Sequence, residues 1–209
     1  MQRFVLQQNA ERYRARLAEA KDPGERDRLT VMLSTVEREL ALYAAEAEGV
    51  GARPWPIGAQ AQLAADRARL TGEFRAKFED WPQVAYLIDP APGLSFVAVN
   101  TAFEQATSLS RHQIEGQPLF TLFPDNPNDA TADGTWQIYA SMRRVAETGQ
   151  PDHMAPMRYD VRDADGAFVK RYWRHANTAL FNAAGRLIFL QHLVDEVTEQ
   201  VIQARSSAA

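Results

Sequence analysis

The chain is expected to fold as an α+β protein, an antiparallel sheet with helices on one face, preceded by an α-helical hairpin. Two observations predict this. Short apolar runs fall into a pair near the middle of the chain and a group of three at its end, with helical patterns between the groups. A wound parallel sheet would instead need a helix between successive strands. Ahead of them, residues 2–48 carry a three-and-four-residue apolar spacing on both sides of a Pro-Gly break. The 209 residues leave room for one ordinary domain plus an appendage, and 45% hydrophobic content is enough for a core.

The elements follow in order. Leu6, Ala10, Tyr13, Leu17 and Ala20 form one seam, and Leu29, Leu33, Val36, Leu40 and Tyr43 form the other. Lys21-Asp22-Pro23-Gly24 breaks the helix between them, so residues 1–48 read as a coiled-coil-like αα-hairpin. Phe4, Val5 and Met32 add apolar surface for a partner chain or for the next domain. Residues 49–58, GVGARPWPIG, concentrate Gly and Pro and read as a linker. Residues 59–80 resume a helical period, with Leu63, Leu70, Phe74 and Phe78 on one face, and Trp81-Pro82 ends it.

A domain over 81–197 follows. Val84 to Asp89 and Leu94 to Val99 read as a hairpin around DPAPG. Asn100 and Ser110 are N-caps for short helices, and TWQIYASMRRVAET closes on Gly149 at its C′ position. HMAPMRYDVR, FVKRYWRHANTALF and RLIFLQHLVDEV read as three strands, with turns at Asp163-Ala164-Asp165-Gly166 and Asn182-Ala183-Ala184-Gly185. Residues 198–209 form a C-terminal helix or tail, with Thr198 placed to cap it and Glu199 suited to its positive first turn.

Composition removes several classes of function. With no cysteine there can be no disulfide, thiolate nucleophile or cysteine-ligated metal. A formal charge of −4 with interspersed signs offers no basic stripe, so a nucleic-acid partner is not expected. No window reaches the roughly 20 apolar residues of a membrane span, and the expected setting is cytoplasmic, without a membrane partner.

Over residues 74–200 the chain resembles the PAS sensory domain. The resemblance is carried by FVAVNTAFEQAT, by IEGQPLFTLFPDNP, close to a G-x-x-L-F-x-x-F-P-D-N-P run of that family, by RYWRHANTAL and by the terminal VDEVTE. It implies a five-stranded antiparallel sheet in the order 2-1-5-4-3 with helices over one face. It also implies a sensory or protein-interaction role in bacterial signal transduction, with a histidine kinase or other signalling protein as a partner. The family's closing Asp-Ile/Val-Thr, which couples sheet to output helix, is here Glu196-Val197-Thr198 with Asp195 just before, so Asp195, Glu196 and Thr198 are the candidate output joint. The family proline in strand four is Ala179. The family sends its last helix onward, whereas here it runs out, as in a piece of a longer sensor or a free-standing module.

If the loop at 182–185 closes a regular hairpin, His175 lies opposite His192, Asn177 opposite Leu190 and Trp173 opposite Val194, all on one face. The resemblance turns that face toward the helices, where the family holds ligands, and adds Tyr139 and Met142 to the candidate pocket. Two imidazoles and an amide among apolar walls suit ligand orientation or sensing of protonation. The plainer alternative is a buried polar pair satisfied by backbone or water. The cofactor stays unknown: TWQIYASMRRVAET lacks the histidine that haem-binding members use, and photoactive flavin members need a cysteine. Asp125, Asp129 and Asp133 lack the alternation of a calcium loop and read as caps and turns. No nucleophile elbow, HExxH, P-loop or GxGxxG occurs, so no enzyme is expected. The alternatives are a small cavity enzyme using His175 or His192 with Asp160, and a purely structural dimerisation module. The outward face, Ala176, Thr178, Phe189 and Leu193, is too apolar to stay bare, and a homodimer, the hairpin or the 59–80 helix is expected to cover it.

Overall fold

The computed structural model describes residues 2–51, 58–163 and 165–207. Most of the expected linker, Ala164 of the 163–166 turn and the last two residues of the tail lie outside the described residues.

Helices α1 (Gln2–Glu19) and α2 (Pro23–Glu48) form the expected hairpin. Asp22 caps α2 by accepting from Glu25 N at 2.7 Å, and Pro23 occupies the first turn, where no amide hydrogen is needed. Helix α2 has two buried faces: Leu29 and Leu40 belong to the seam with α1, whereas Ala41, Ala44 and Ala45 join the main core. These small side chains let α2 lie close to the helix α7 (Gly134–Thr148) of the following domain. Arg38 adds a bond to Ala132 O at 2.7 Å and an ion pair to Asp125 at 3.3 Å. The expected linker thus begins as a docked segment: Val50 is buried, its N–H donates to Pro90 O at 3.1 Å, and Tyr139 Oη donates to Gly49 O at 3.1 Å.

The main sheet contains β1 (Val84–Ile88), β2 (Phe96–Val99), β3 (Asp152–His153), β4 (Met157–Arg158), β7 (Tyr172–Phe181) and β8 (Leu187–Glu196). Its order is β2-β1-β8-β7-β3, with β4 also on β7 and all pairs antiparallel. This is the expected 2-1-5-4-3 arrangement with the third position split in two. The split corrects the reading of HMAPMRYDVR as one strand. Pro156 lacks the donor a ladder needs, and after β4 the chain leaves the sheet to form a separate hairpin, β5 (Val161–Arg162) with β6 (Phe168–Val169).

Between β2 and β3 lie α4 (Thr101–Thr107), α5 (Arg111–Ile114), α6 (Leu119–Leu122) and α7. They cover one sheet face, and α2 packs on α7. The 59–80 helix, α3 (Gln60–Phe78), covers the other: Leu70, Phe74 and Phe78 pack on Ala85, Leu87, Ala98, Ile188 and Phe189. Phe189 is thereby buried within the chain, Leu193 packs at the edge of this cluster, and Ala176 and Thr178 are half-buried. Gly149 closes α7 in the left-handed region, at φ 70°, as its position predicts.

The pairing of β7 with β8 differs from the regular-hairpin expectation. His175 faces Val194, Asn177 faces His192 and Trp173 faces Glu196. The closing pair of the ladder is Asn182 with Arg186: Asn182 N donates to Arg186 O at 2.9 Å, while Gly185, at φ 71°, donates its N–H to Asn182 O at 2.9 Å within the turn. A bulge between Leu180 and Phe181 then adds one more residue. Two single-residue displacements make an even shift, so every side chain keeps its expected face while its partner changes.

Candidate functional site

The inner face of β1, β7 and β8 and the short helices α4 to α6 leave a cavity of about 360 Å³ between them. Its walls are Val84, Tyr86, Phe103, Leu119, Phe120, Leu122, Phe123, Ile138, Tyr159, Trp173, His175 and Val194, and residues 160–163 with Phe168 of the small hairpin border it. Strand alternation presents Trp173 and His175 from β7 and Val194 from β8 to the same side. The helices contribute the aromatic wall because Asn100 fixes the turn from β2 into α4. Fully buried, Asn100 accepts from Phe103 N and Ala85 N and donates to carbonyls of Phe78, Trp81 and Gln83 at 2.8–3.2 Å.

Of the expected pocket residues, the cavity wall contains Trp173, His175 and Val194. Asn177 and His192 are completely buried one layer behind it. Leu190, Tyr139 and Met142 belong to the packed core instead, and the Tyr139 hydroxyl is occupied by Gly49. The two-residue shift in pairing explains part of this: His192 moves from opposite His175 to opposite Asn177, and the histidines meet diagonally.

They remain in direct contact. His175 Nδ1 and His192 Nε2 are 2.8 Å apart, and His192 Nδ1 is 2.6 Å from Asn177 Oδ1. Asn177 Nδ2 donates to Ser141 Oγ at 2.8 Å, and Ser141 Oγ donates to Asp152 Oδ2 at 2.6 Å. Asp152 is paired with Arg144 at the surface. Four elements, α7, β3, β7 and β8, therefore contribute to one buried line of hydrogen bonds. Tyr86 stacks on His192 at 4.7 Å between centroids.

Burial pushes His175 down to about 4, and burial together with the neighbouring His175 holds His192 well below the ordinary histidine range. Both rings are neutral at pH 7. Burial works to raise the Asp152 carboxyl, but the Ser141 hydroxyl and the Arg144 guanidinium outweigh it and hold it below the usual carboxylate range. Asp160, the expected acid-base partner, is engaged by Arg158 at 2.7 Å and by Asn126 at 2.8 Å, and these bonds likewise outweigh its burial. Among the described residues, His175 Nε2 is the buried side-chain atom of this cavity that has no hydrogen-bond partner.

Ser141 and Asp152 were not legible as site residues. Neither has a motif, and only the approach of α7 to β3 brings them together. The aromatic wall of Phe103, Phe120 and Phe123 lies within FVAVNTAFEQAT and IEGQPLFTLFPDNP, stretches that carry the family resemblance but did not single out these rings as pocket residues.

The other candidate features resolve as follows. Asp125 Oδ1 accepts from Thr135 N at 3.1 Å, so it caps the start of α7, whereas Asp133 stands at the N-cap without making that bond. Among the described residues no group of three metal-ligating side chains is assembled. At the output joint, Thr198 Oγ1 accepts from Tyr172 N at 2.9 Å and donates to Glu196 at 2.9 Å, and Glu196 pairs with Arg171 at 3.0 Å. The hydroxyl expected to cap the last helix instead ties its first turn to β7. Asp195 lies 3.7 Å from Arg174 across the strand pair. Helix α8 (Thr198–Ser207) is held further along by Arg205 Nη1, which donates to Tyr172 Oη at 2.9 Å.

No helix among the described residues is long and apolar enough to cross a membrane. No protein-family model matches the chain. Among solved structures it is similar to the PAS domain of a protein from Colwellia psychrerythraea, at 14% identity over 62% of this chain and 98% of that one, with a TM-score of 0.46. It is also similar to the LOV protein of Rhodobacter sphaeroides, at 15% identity over 66% and 68% with a TM-score of 0.43. A phage VqmA–DPO complex is similar at 16% identity over 70% and 61%, with a TM-score of 0.45.

Proposed function

We propose that this chain is a PAS-type sensory module of bacterial signal transduction that holds a small molecule in the cavity beside His175. It passes occupancy on through its flanking helices. The observation that carries this reading is the unpartnered, buried Nε2 of His175 in an aromatic-walled cavity of about 360 Å³. A buried acceptor without a partner costs about 1–3 kcal/mol, which a ligand donor recovers. A void of this size also argues against a purely structural module with a filled core.

The route outward is short. Trp173, in the wall, stands opposite Glu196 on β8, and Glu196 holds Thr198 at the start of α8. Displacing Trp173 therefore bears on the joint where the last helix leaves the sheet. The module works in the cytoplasm as a homodimer alongside a histidine kinase or similar partner. The apolar residues left exposed on the hairpin, Phe4, Val5 and Met32, and Ile202 on α8 supply surface for those contacts.

The test is mass spectrometry of protein purified natively and then denatured, with His175→Phe as control. A small molecule released from the wild type and absent from the variant is expected. Equal recovery from both, or release from neither together with no response of cavity resonances to a fragment library, refutes the reading.

A further inference from the structure

The line of hydrogen bonds behind the cavity can be protonated in only one sense. Asp152 is ionised and paired with Arg144, so it only accepts, and the Ser141 hydroxyl gives it its one proton. Ser141 Oγ is then left to accept from Asn177 at 2.8 Å. That requires the amide nitrogen of Asn177 on the Ser141 side, because the flipped amide would set two oxygens lone pair against lone pair. The Asn177 oxygen therefore points at His192 Nδ1, 2.6 Å away, and that nitrogen must carry the proton. In a neutral imidazole Nε2 is then the acceptor, so His175 Nδ1 is the donor across the 2.8 Å contact. His175 Nε2 is left as a bare lone pair, buried and without a partner. A surface ion pair thus sets the tautomer of a ring in the cavity wall.

The rest of the wall narrows what can meet that lone pair. Trp173 Nε1 already donates to Tyr159 O at 2.7 Å, the Tyr159 hydroxyl donates to Phe123 O, and the Thr107 hydroxyl donates to Phe103 O at 2.9 Å. The charged residues that border the cavity are already engaged: Asp160 by Arg158 and Asn126, Arg162 over the Phe168 ring, and Asp163 by the amides of Asp165 and Ala167. A carboxylate would oppose its own lone pairs to Nε2, and a charge held beside that nitrogen would be stripped of water. Resting on the reading of the cavity as a ligand site, we infer that it takes a neutral, flat aromatic molecule of the phenol or N–H heterocycle class. Its O–H or N–H donates to His175 Nε2, and Ser141, Asn177 and His192 are positioning residues that hold His175 in the accepting tautomer.

Two measurements on the full chain test this. Nitrogen-15 histidine NMR of the free protein is expected to show His175 protonated at Nδ1 and not at Nε2. Calorimetric titration with 2-naphthol, its methyl ether 2-methoxynaphthalene, and 2-naphthoate is expected to show the naphthol binding about tenfold or more tighter than the ether, with the naphthoate weakest. In Ser141→Ala, which removes only a hydroxyl, the naphthol-to-ether ratio is expected to fall toward one while the His175 spectrum moves toward mixed tautomers. Equal affinity of naphthol and ether in the wild type, or an Nε2-protonated His175, overturns the inference and leaves the cavity reading standing. An unchanged ratio and spectrum in Ser141→Ala overturns the positioning role. Binding of none of the three overturns the inference, and release of a small molecule from the wild type but not from His175→Phe then still leaves the cavity reading standing.

Discussion

Replacing Asn100 with alanine is expected to be among the most destabilising single changes outside the aromatic core. The side chain is completely buried and its two ends have separate duties. Its oxygen accepts from Phe103 N at 3.0 Å, capping α4, and from Ala85 N at 3.1 Å, completing the ladder of β1 where β2 has ended. Losing the cap costs about 1 kcal/mol. Leaving the Ala85 amide unpaired in the centre of the sheet, where no water reaches it, costs about 1–3 kcal/mol more. The amide nitrogen also gathers carbonyls of Phe78, Trp81 and Gln83, joining α3 to β1, and a cavity remains where the side chain was. The cap and the orphaned amide alone come to about 2–4 kcal/mol, read as the change in urea midpoint at constant m-value. Asn100→Asp separates the duties: it keeps both accepted bonds but opposes a carboxylate to three carbonyls, so it too should destabilise, and less so at low pH where the acid can donate. A loss of less than about 1 kcal/mol in Asn100→Ala would refute the reasoning.

Three further outcomes are expected. Gly134→Ala places a Cβ 2.1 Å from Tyr159 Cδ2, and because that ring is buried with its hydroxyl tied to Phe123 O, the clash should cost about 1–3 kcal/mol and lower Tm by about 3–10 °C. An unchanged Tm would show that Tyr159 yields freely. The unfolded chain protonates its histidines near 6.5, whereas burial delays native His175 to about 4. Stability is therefore complete above pH 6.5 and falls by about 1.4 kcal/mol per pH unit for this residue as pH drops toward 4. Burial raises Glu37 and Asp125, which act in the opposite sense, so the quantity to follow by urea denaturation is the difference between wild type and His175→Phe, and a difference flat across this range would contradict the neutral buried ring. Thr198→Val leaves the Tyr172 amide without its acceptor, so about 1 kcal/mol of local stability should be lost, seen as faster amide exchange at Tyr172 and along α8. Unaltered exchange would remove Thr198 from the joint.

What the sequence by itself determined is what is encoded within a few residues. Asp22 followed by Pro23, Asn100 before TAFEQAT and Gly149 after the long helix mark their boundaries because a cap or a left-handed residue acts on its own turn. The alternation of β7 and β8 likewise put His175, Asn177 and His192 on one face and Phe189 and Leu193 on the other, since a period of two survives any even shift in pairing, and the family resemblance implied which face turns toward the helices. The tertiary structure alone decided who meets whom. A bulge at Leu180 and the closure of Asn182 on Arg186 moved His192 opposite Asn177, and no local signal marks where an extra residue will be absorbed. It also decided that α3, rather than a second chain, buries Phe189, and that a serine on α7 and an aspartate on β3 complete the line behind His175. Hydrogen bonds between distant segments depend on how whole elements pack, and that packing minimises the free energy of the entire core rather than of any stretch that could be read alone.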